Sequence, residues 1–515
     1  MRAGWDDATL VGELLGRARE ADDAIAVVDL AGARTTRRGQ LVADALALAG
    51  RFERAGLRAG DVASIQLPNR YETVVVAIAA LRLGLIVNPL LPSYRVHELD
   101  FVFRKAAPRL VVTPDRYRGH DHAAMIAGLR GTLPADGLHL VVPCGEDDAR
   151  PEAFLDSLRA EPPTRVDRPS ASAPSELIFT SGTESTPKGI LHSEQTTQAG
   201  VRAMRDALGL AAGDVVWMPS PVGHSTGFNF GLRLALSLGL PLVLQDRWDA
   251  TTAIDLIRAQ TGRVYTLAAT TFLQDLVDAL AKRREALPQL DRFCCGGAPV
   301  PPELVAAADT HGLRVLRLYG STEALVVSCH RPGTPLAERM ASDGAALPHV
   351  EIRLAEDGEV LVHSPQTALG YFGDPERTRE TFGAGGWVRS GDLGRIDPSG
   401  ALAIVGRKKE ILIRGGLNIA PREIEESLLA FPEIERCAVI GLPDERLGER
   451  VCACVVLAPG ASLELATAVE RLRAAGLATY KLPQDWRVVD ALPTTASGKV
   501  QKHRLRAMVV PGARR

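Results

Sequence analysis

No run of apolar residues in this chain is long enough to span a bilayer. The longest, residues 74–91, is interrupted by Arg82, Asn88 and Pro89, and it reads as a buried helix followed by a strand. An excess of charge of one sign is also missing. Sixty Lys and Arg stand against 62 Asp and Glu, a formal net charge of −2 at pH 7, which excludes the broad field of a nucleic-acid or membrane-surface binder. The seven cysteines have no zinc-like spacing: Cys294 and Cys295 are adjacent, Cys452 and Cys454 are one residue apart, and the others are scattered. An odd, unpatterned count fits a reducing cytoplasm. In a strand, Cys452 and Cys454 would share one face as small core residues. The first residues, Met-Arg-Ala-Gly-Trp-Asp-Asp, show no basic region followed by an apolar run, so no secretory signal is expected. Internal repeats and long low-complexity tracts are lacking too. What remains is the composition of a soluble globular protein, 46% hydrophobic and 24% charged. Its 515 residues exceed one ordinary core, so a large domain and a smaller one are expected.

The first part alternates strand-like and helix-like segments. Residues 24–30 read as a strand, 38–55 as a helix, 62–67 as a strand and 72–83 as a helix, with a turn at Gly60-Asp61. That alternation predicts a layered α/β domain with parallel sheet elements. Residues 161–174 read as a surface connection within that domain. Short strands at 350–362 and 401–405, separated by turn signals such as Asp357-Gly358, suit a small β-rich subdomain. The best break lies at 406–410. Beyond it, 421–429 reads as a helix with proline in its first turn, 437–442 and 451–457 as strands, and 466–475 as a helix ending at Gly476. The expectation is an α/β protein: a large N-terminal domain (1–408) of layered α/β subdomains plus the β-rich subdomain, hinged near Lys409 to a small C-terminal α+β lid (409–515).

The run 177–189, Leu-Ile-Phe-Thr-Ser-Gly-Thr-Glu-Ser-Thr-Pro-Lys-Gly, takes a short apolar strand into a hydroxyl-rich loop. Thr180, Ser181 and Thr183 offer hydroxyls to phosphate oxygens, Gly182 lets backbone N–H groups approach, and Lys188 adds a compact cation. Pro187 and Gly189 replace the glycine and the Ser/Thr that flank the lysine in the common phosphate loop of NTPases. Alone, the loop reads equally as a nucleotide site or a polar turn. Four further segments follow in order: Leu318-Tyr-Gly-Ser-Thr-Glu323, Ser390-Gly-Asp-Leu-Gly394, the glycine-bearing stretch 406–425, and Leu492-Pro-Thr-Thr-Ala-Ser-Gly-Lys-Val500. Taken together they resemble the adenylate-forming superfamily of acyl-CoA synthetases, adenylation domains and luciferase-like enzymes, over residues 20–506. Residues 218–227 and 243–249 look most like ligases for alicyclic and related bulky carboxylic acids.

That resemblance implies a ligase using ATP, Mg²⁺ and CoA. A carboxylic acid becomes an acyl-adenylate, and the thiol of CoA or of a carrier protein's pantetheine displaces AMP. It implies that Glu323 holds Mg²⁺, Thr322 meets the α-phosphate, and Tyr319 lies against the adenine beside Gly320 and Ser321. Asp392 and Arg407 would grip the ribose, and Gly296, Gly297 and Ala298 would form a backbone platform for the base. Lys499 would bridge carboxylate and α-phosphate during adenylation. Rotation at Lys409 would then withdraw it and bring Gly415 and Gly416 to the nucleotide, opening a path for pantetheine. His224 is expected as the acyl-pocket gate, with Phe228, Asn229 and Ser321 as pocket residues. One departure stands out: Glu184-Ser185 replaces the usual Thr/Ser-Gly. Either Glu184 points to solvent, or an acidic loop repels the phosphates and the enzyme only transfers a preformed acyl-adenylate made by a separate adenylating partner. A standalone adenylation enzyme loading a carrier protein is the other alternative.

Overall fold

The computed structural model describes residues 5–144, 151–159, 164, 169–180, 187–414, 417–495 and 500–509. Among these residues four sheets of four or more strands form, three before Arg407 and one after Leu412. A large N-terminal and a small C-terminal domain result. No described helix is long and apolar enough to cross a membrane.

The first sheet orders its strands Ala345–Ala346, Leu325–Cys329, Val315–Ser321, Arg292–Cys295, Val264–Ala268, Val215–Met218, Leu242–Leu244, Ile25–Asp29 and Arg34–Arg37, with parallel pairing through its middle. The second runs Gly370–Tyr371, Lys188–Ser193, Pro174–Thr180, Ile86–Pro89, Val62–Ile65, Leu110–Pro114 and Leu138–Val142. Its inner parallel strands, Val62–Ile65, Ile86–Pro89 and Leu110–Pro114, are buried on both faces. This is why Val62–Ile65 and Leu110–Pro114 carry near-continuous apolar runs without alternation. The helix Tyr71–Arg82 touches strands of both sheets and buries every residue from Tyr71 to Leu81, so it is apolar all round. Each such fully buried Leu, Val or Ile contributes about 1.5–3 kcal/mol of transfer free energy.

The β-rich subdomain is an antiparallel sheet of Glu351–Leu354, Glu359–His363, Trp387–Ile396 and Leu402–Arg407. A single turn, Lys408–Glu410, leads to the C-terminal sheet. There Ile434–Asp444 and Gly448–Leu457 form a long hairpin, with Leu412–Arg414 and Leu417–Ile419 to one side and Asp485–Val488 parallel to the second hairpin strand. The helix Pro421–Leu429 has proline in its first turn, as its sequence predicts. Cys452 and Cys454 point to the same face, 4.0 Å apart at sulfur, under Leu492 and Leu505. The strand expected at 62–67 stops at Ile65, before Pro68 can interrupt the ladder.

Candidate functional site

Asp392 and Arg407 are cross-strand partners in the β-rich sheet, so their side chains meet by register. The Arg407 Nε lies 3.1 Å from Asp392 Oδ1, and the other carboxylate oxygen accepts a 2.7 Å hydrogen bond from the Tyr319 hydroxyl. Tyr319 comes from the end of Val315–Ser321 in the first sheet, so this chain of three side chains joins two sheets. Burial and the Asp392 charge push the Tyr319 phenol up, which keeps it a donor. Arg407 remains partly open to solvent, its planar fork available to a polar ligand.

Beside this chain the strand Arg292–Cys295 ends in Gly296, Gly297 and Ala298. A Cβ on Gly296 would sit 2.4 Å from the Leu318 carbonyl oxygen, so the backbone passes its neighbour too closely for any side chain. Gly297 adopts φ +78° with open space in front of it. The result is a bare backbone ledge next to Tyr319. Gly320 is equally constrained, 2.3 Å from the Leu325 oxygen.

The second cluster closes around the exit of the hydroxyl-rich loop. Thr180 and Lys188 face each other across the antiparallel pair that brackets it. The Lys188 ammonium lies 5.5 Å from the centre of the Tyr371 ring, and the Tyr371 hydroxyl donates to Glu323 Oε1 at 2.9 Å. Desolvation lowers the Lys188 pKa, partly offset by the nearby Glu323. Thr322 is held from behind: its carbonyl accepts a 2.8 Å hydrogen bond from Nε2 of His192. That fully buried imidazole is pushed down to about 4 by desolvation, so it is neutral. Ser321 Oγ accepts from the Ala324 amide at 3.2 Å, shaping the turn that presents Thr322 and Glu323.

Among the described residues, no group of three or more His, Cys, Asp or Glu is arranged so that it could hold a metal ion. One presented carboxylate beside a lysine suits a hard cation that takes its remaining oxygens from phosphate and water, the habit of Mg²⁺. The ledge, the tyrosine and the Asp392–Arg407 pair likewise fit a nucleoside.

The third region is the segment after Val215–Met218. His224 caps the short turn Ser225–Gly227, its Nδ1 accepting from the Thr226 amide at 3.4 Å. Gly223 and Gly227 would each place a Cβ 2.3 Å from a backbone oxygen, of Leu90 and Pro221 respectively. A π-helical stretch, Phe228–Arg233, follows. Phe228 and Asn229, expected in the substrate pocket, lie inside the domain. Phe228 packs in the main core beneath the Arg233 guanidinium. The Asn229 amide is committed to Glu176 (2.7 Å) and Arg233 (3.1 Å). Arg233 in turn pairs with Glu194 at 2.7 Å and Glu176 at 3.4 Å, all deeply buried. Next to Pro219 and Pro221 a cavity of about 520 Å³ is lined by Arg118, Asp246, Arg247, Trp248 and Phe272.

Lys409 lies exposed in the turn Lys408–Glu410. Ser181, Gly182, Thr183, Glu184, Ser185, Gly415, Gly416 and Lys499 fall outside the described residues. Sequence reasoning did not find Tyr371, His192 or the Glu176–Arg233–Glu194 cluster. For the last, a signal existed: Arg233 is a lone charge in the apolar run 228–236.

Comparison with known proteins places this geometry among relatives. Residues 15–372 match the model of the AMP-binding enzyme family, and 423–499 that of the AMP-binding enzyme C-terminal domain. A medium-chain fatty-acid–CoA ligase of Escherichia coli K12 is 36% identical over 98% of this chain and 90% of the relative. A salicylyl-CoA synthase / salicylate adenylyltransferase of a Streptomyces species is 33% identical over 98% of this chain and 94% of its own. The crystal structure of ATP-bound MatB from Rhodopseudomonas palustris is 26% identical, covers 98% of this chain and 99% of its own, and superposes with a TM-score of 0.87.

Proposed function

The chain belongs to the AMP-binding enzyme family, and from that premise we propose that it is an AMP-forming acyl-CoA ligase for a carboxylic acid with an apolar body. ATP and the acid react to an acyl-adenylate and pyrophosphate, and CoA then displaces AMP to give the thioester. The observation that carries the reading is the chain Tyr319–Asp392–Arg407 beside the Gly296 ledge, with Lys188 over the ring of Tyr371 and Glu323 on its hydroxyl.

In this reading the adenine rests against Tyr319 and the ledge of Gly296, Gly297 and Ala298, while Asp392 and Arg407 bind the ribose hydroxyls. Glu323 holds Mg²⁺, whose chemistry when bound is to neutralise charge on the phosphate oxygens. Thr322, Thr180 and Lys188 orient the phosphates, with Ser181, Gly182 and Thr183 completing the loop. Lys499 bridges the acid's carboxylate and the α-phosphate. The small domain (409–515) turns about Lys409, and Gly415 and Gly416 then line the way in for the thiol. His224 gates the acyl side. CoA as the acceptor is supported by what the relatives are named for, a fatty-acid–CoA ligase and a salicylyl-CoA synthase. An acid with an apolar body follows from what the relatives are named for, a medium-chain fatty acid and salicylate.

The test is CoA-thioester formation with a panel of alicyclic, aromatic and medium-chain acids. Each acid is supplied free with Mg-ATP and, in parallel, as its synthetic adenylate. Product from both arms is expected. Product from the adenylate arm alone would overturn the complete ligase and indict the loop at Glu184-Ser185.

A further inference from the structure

Tyr371 meets both the loop-closing lysine and the presented carboxylate, and its own backbone is held from several directions. The two-residue strand Gly370–Tyr371 pairs with Lys188–Ser193, setting Tyr371 opposite Ile190. The Phe372 amide donates to the Gly189 carbonyl at 2.8 Å, and the Tyr371 amide donates to Thr378 Oγ1 at 2.9 Å. The ring packs edge-on against Phe382, 5.6 Å between centroids. Behind Glu323, the Ala368 amide donates 2.8 Å to the Glu323 carbonyl. Within this frame the hydroxyl donates to Glu323 Oε1, and the ring presents its face to the Lys188 ammonium at 5.5 Å.

We infer that Tyr371 is a positioning residue that sets Glu323 for the metal through its hydroxyl and Lys188 for the phosphates through its ring. The inference rests on the assignment of Glu323 as the Mg²⁺ carboxylate. A carboxylate with one oxygen pinned by a neutral donor loses a rotational freedom that the metal would otherwise have to remove. It also keeps its full charge and its second oxygen for the cation. The ring does the corresponding service for Lys188, a flexible four-carbon stem held over a π face in a partly desolvated position. One neutral aromatic thus contacts both charged groups, the ammonium through its face and the carboxylate through its hydroxyl.

The hydroxyl and the ring are separable. Tyr371→Phe removes only the hydroxyl and keeps the packing on Phe382, whereas Tyr371→Leu removes the π face too. Mn²⁺ binding is read by the electron paramagnetic resonance of the free ion in the presence of a non-hydrolysable ATP analogue, and binding of the analogue alone is read by calorimetry without metal. Tyr371→Phe is expected to weaken Mn²⁺ binding about tenfold, the low end for a hydrogen bond to a charged acceptor, with metal-free analogue binding within about twofold of the parent. Tyr371→Leu is expected to weaken both. Glu323→Gln serves as the reference. Loss of Mn²⁺ binding in Glu323→Gln with parental binding in Tyr371→Phe overturns the positioning role. Parental Mn²⁺ binding in Glu323→Gln overturns the metal assignment beneath it, and the inference with it.

Discussion

Replacing Arg233 with Met removes the sole cation from a buried cluster that holds two carboxylates. Arg233 is fully buried, reaches Glu194 at 2.7 Å and Glu176 at 3.4 Å, and donates to Asn229 at 3.1 Å. Glu194 also accepts from the Leu10 amide at 2.6 Å, and Glu176 from Asn229 at 2.7 Å, so neither carboxylate can turn to solvent. Stranding buried charge in this way costs about 3–5 kcal/mol. With an unfolding entropy of about 2 cal/mol/K per residue, that is roughly 1 °C per kcal/mol for a unit of several hundred residues, hence a fall in Tm of about 3–5 °C. The pH dependence has a definite sign. Burial already raises the Glu176 pKa above its unfolded value, and Arg233 opposes that rise. Without Arg233 the folded pKa climbs further, so the folded state binds a proton that the unfolded state has released. The deficit is therefore largest at alkaline pH and shrinks as pH falls toward the ordinary carboxylate range. Glu176→Gln imitates the protonated form, and the double variant Arg233→Met/Glu176→Gln regains part of the loss, Glu194 remaining without its cation. Scanning calorimetry of the parent, both single variants and the double variant at pH 8, 7, 6 and 5 checks this. A deficit independent of pH, with no recovery in the double variant, would refute the reasoning.

Three further outcomes are expected. Asp392→Asn keeps the shape of the Tyr319–Asp392–Arg407 chain but removes its charge, and AMP binding measured by calorimetry weakens about tenfold, as for the loss of a charge-assisted hydrogen bond; an unchanged dissociation constant would count against the ribose role. His192 is buried neutral with its pKa near 4, so the protein loses stability as pH falls from about 6.5 toward 4, by up to about 1.4 kcal/mol per pH unit. Comparing urea midpoints of the parent and His192→Gln at pH 7 and pH 5 reads that contribution, and parallel profiles would sink it. Lys499→Ala reduces pyrophosphate exchange strongly while sparing thioester formation from a supplied acyl-adenylate; equal loss of both half-reactions would remove Lys499 from its assigned step.

Much of the framework was legible locally. The helix Tyr71–Arg82 and the strand Ile86–Pro89 were written in one apolar run with a charged break, because that run is buried between sheets. The helix Pro421–Leu429 announced itself by its proline and apolar spacing. Other features depend on pairing between distant segments and leave little local trace. Gly370–Tyr371 is a two-residue strand, too short for any period, yet it carries Tyr371 to Glu323. His192 resembles any polar residue at a strand end until its fold partner, the Thr322 carbonyl, is known. The surroundings of Phe228 and Asn229 were not legible either, because the π-helical turn and the partners Glu176 and Arg233 that hold them come together only in the fold.

The turn Lys408–Glu410 has a mechanical consequence. On its upstream side Lys408 is tied to Asp357 at 2.5 Å, in a turn of the β-rich sheet, and to Glu359 at 3.2 Å, in the strand that follows. On its downstream side Glu410 is tied to Lys502 at 2.9 Å, which also grips Glu425 at 2.8 Å in the small domain. Two clamps of opposite allegiance thus flank a single residue. A turn of the small domain about Lys409, as proposed above, would have to carry these two sets of ion pairs past each other or keep each with its own domain.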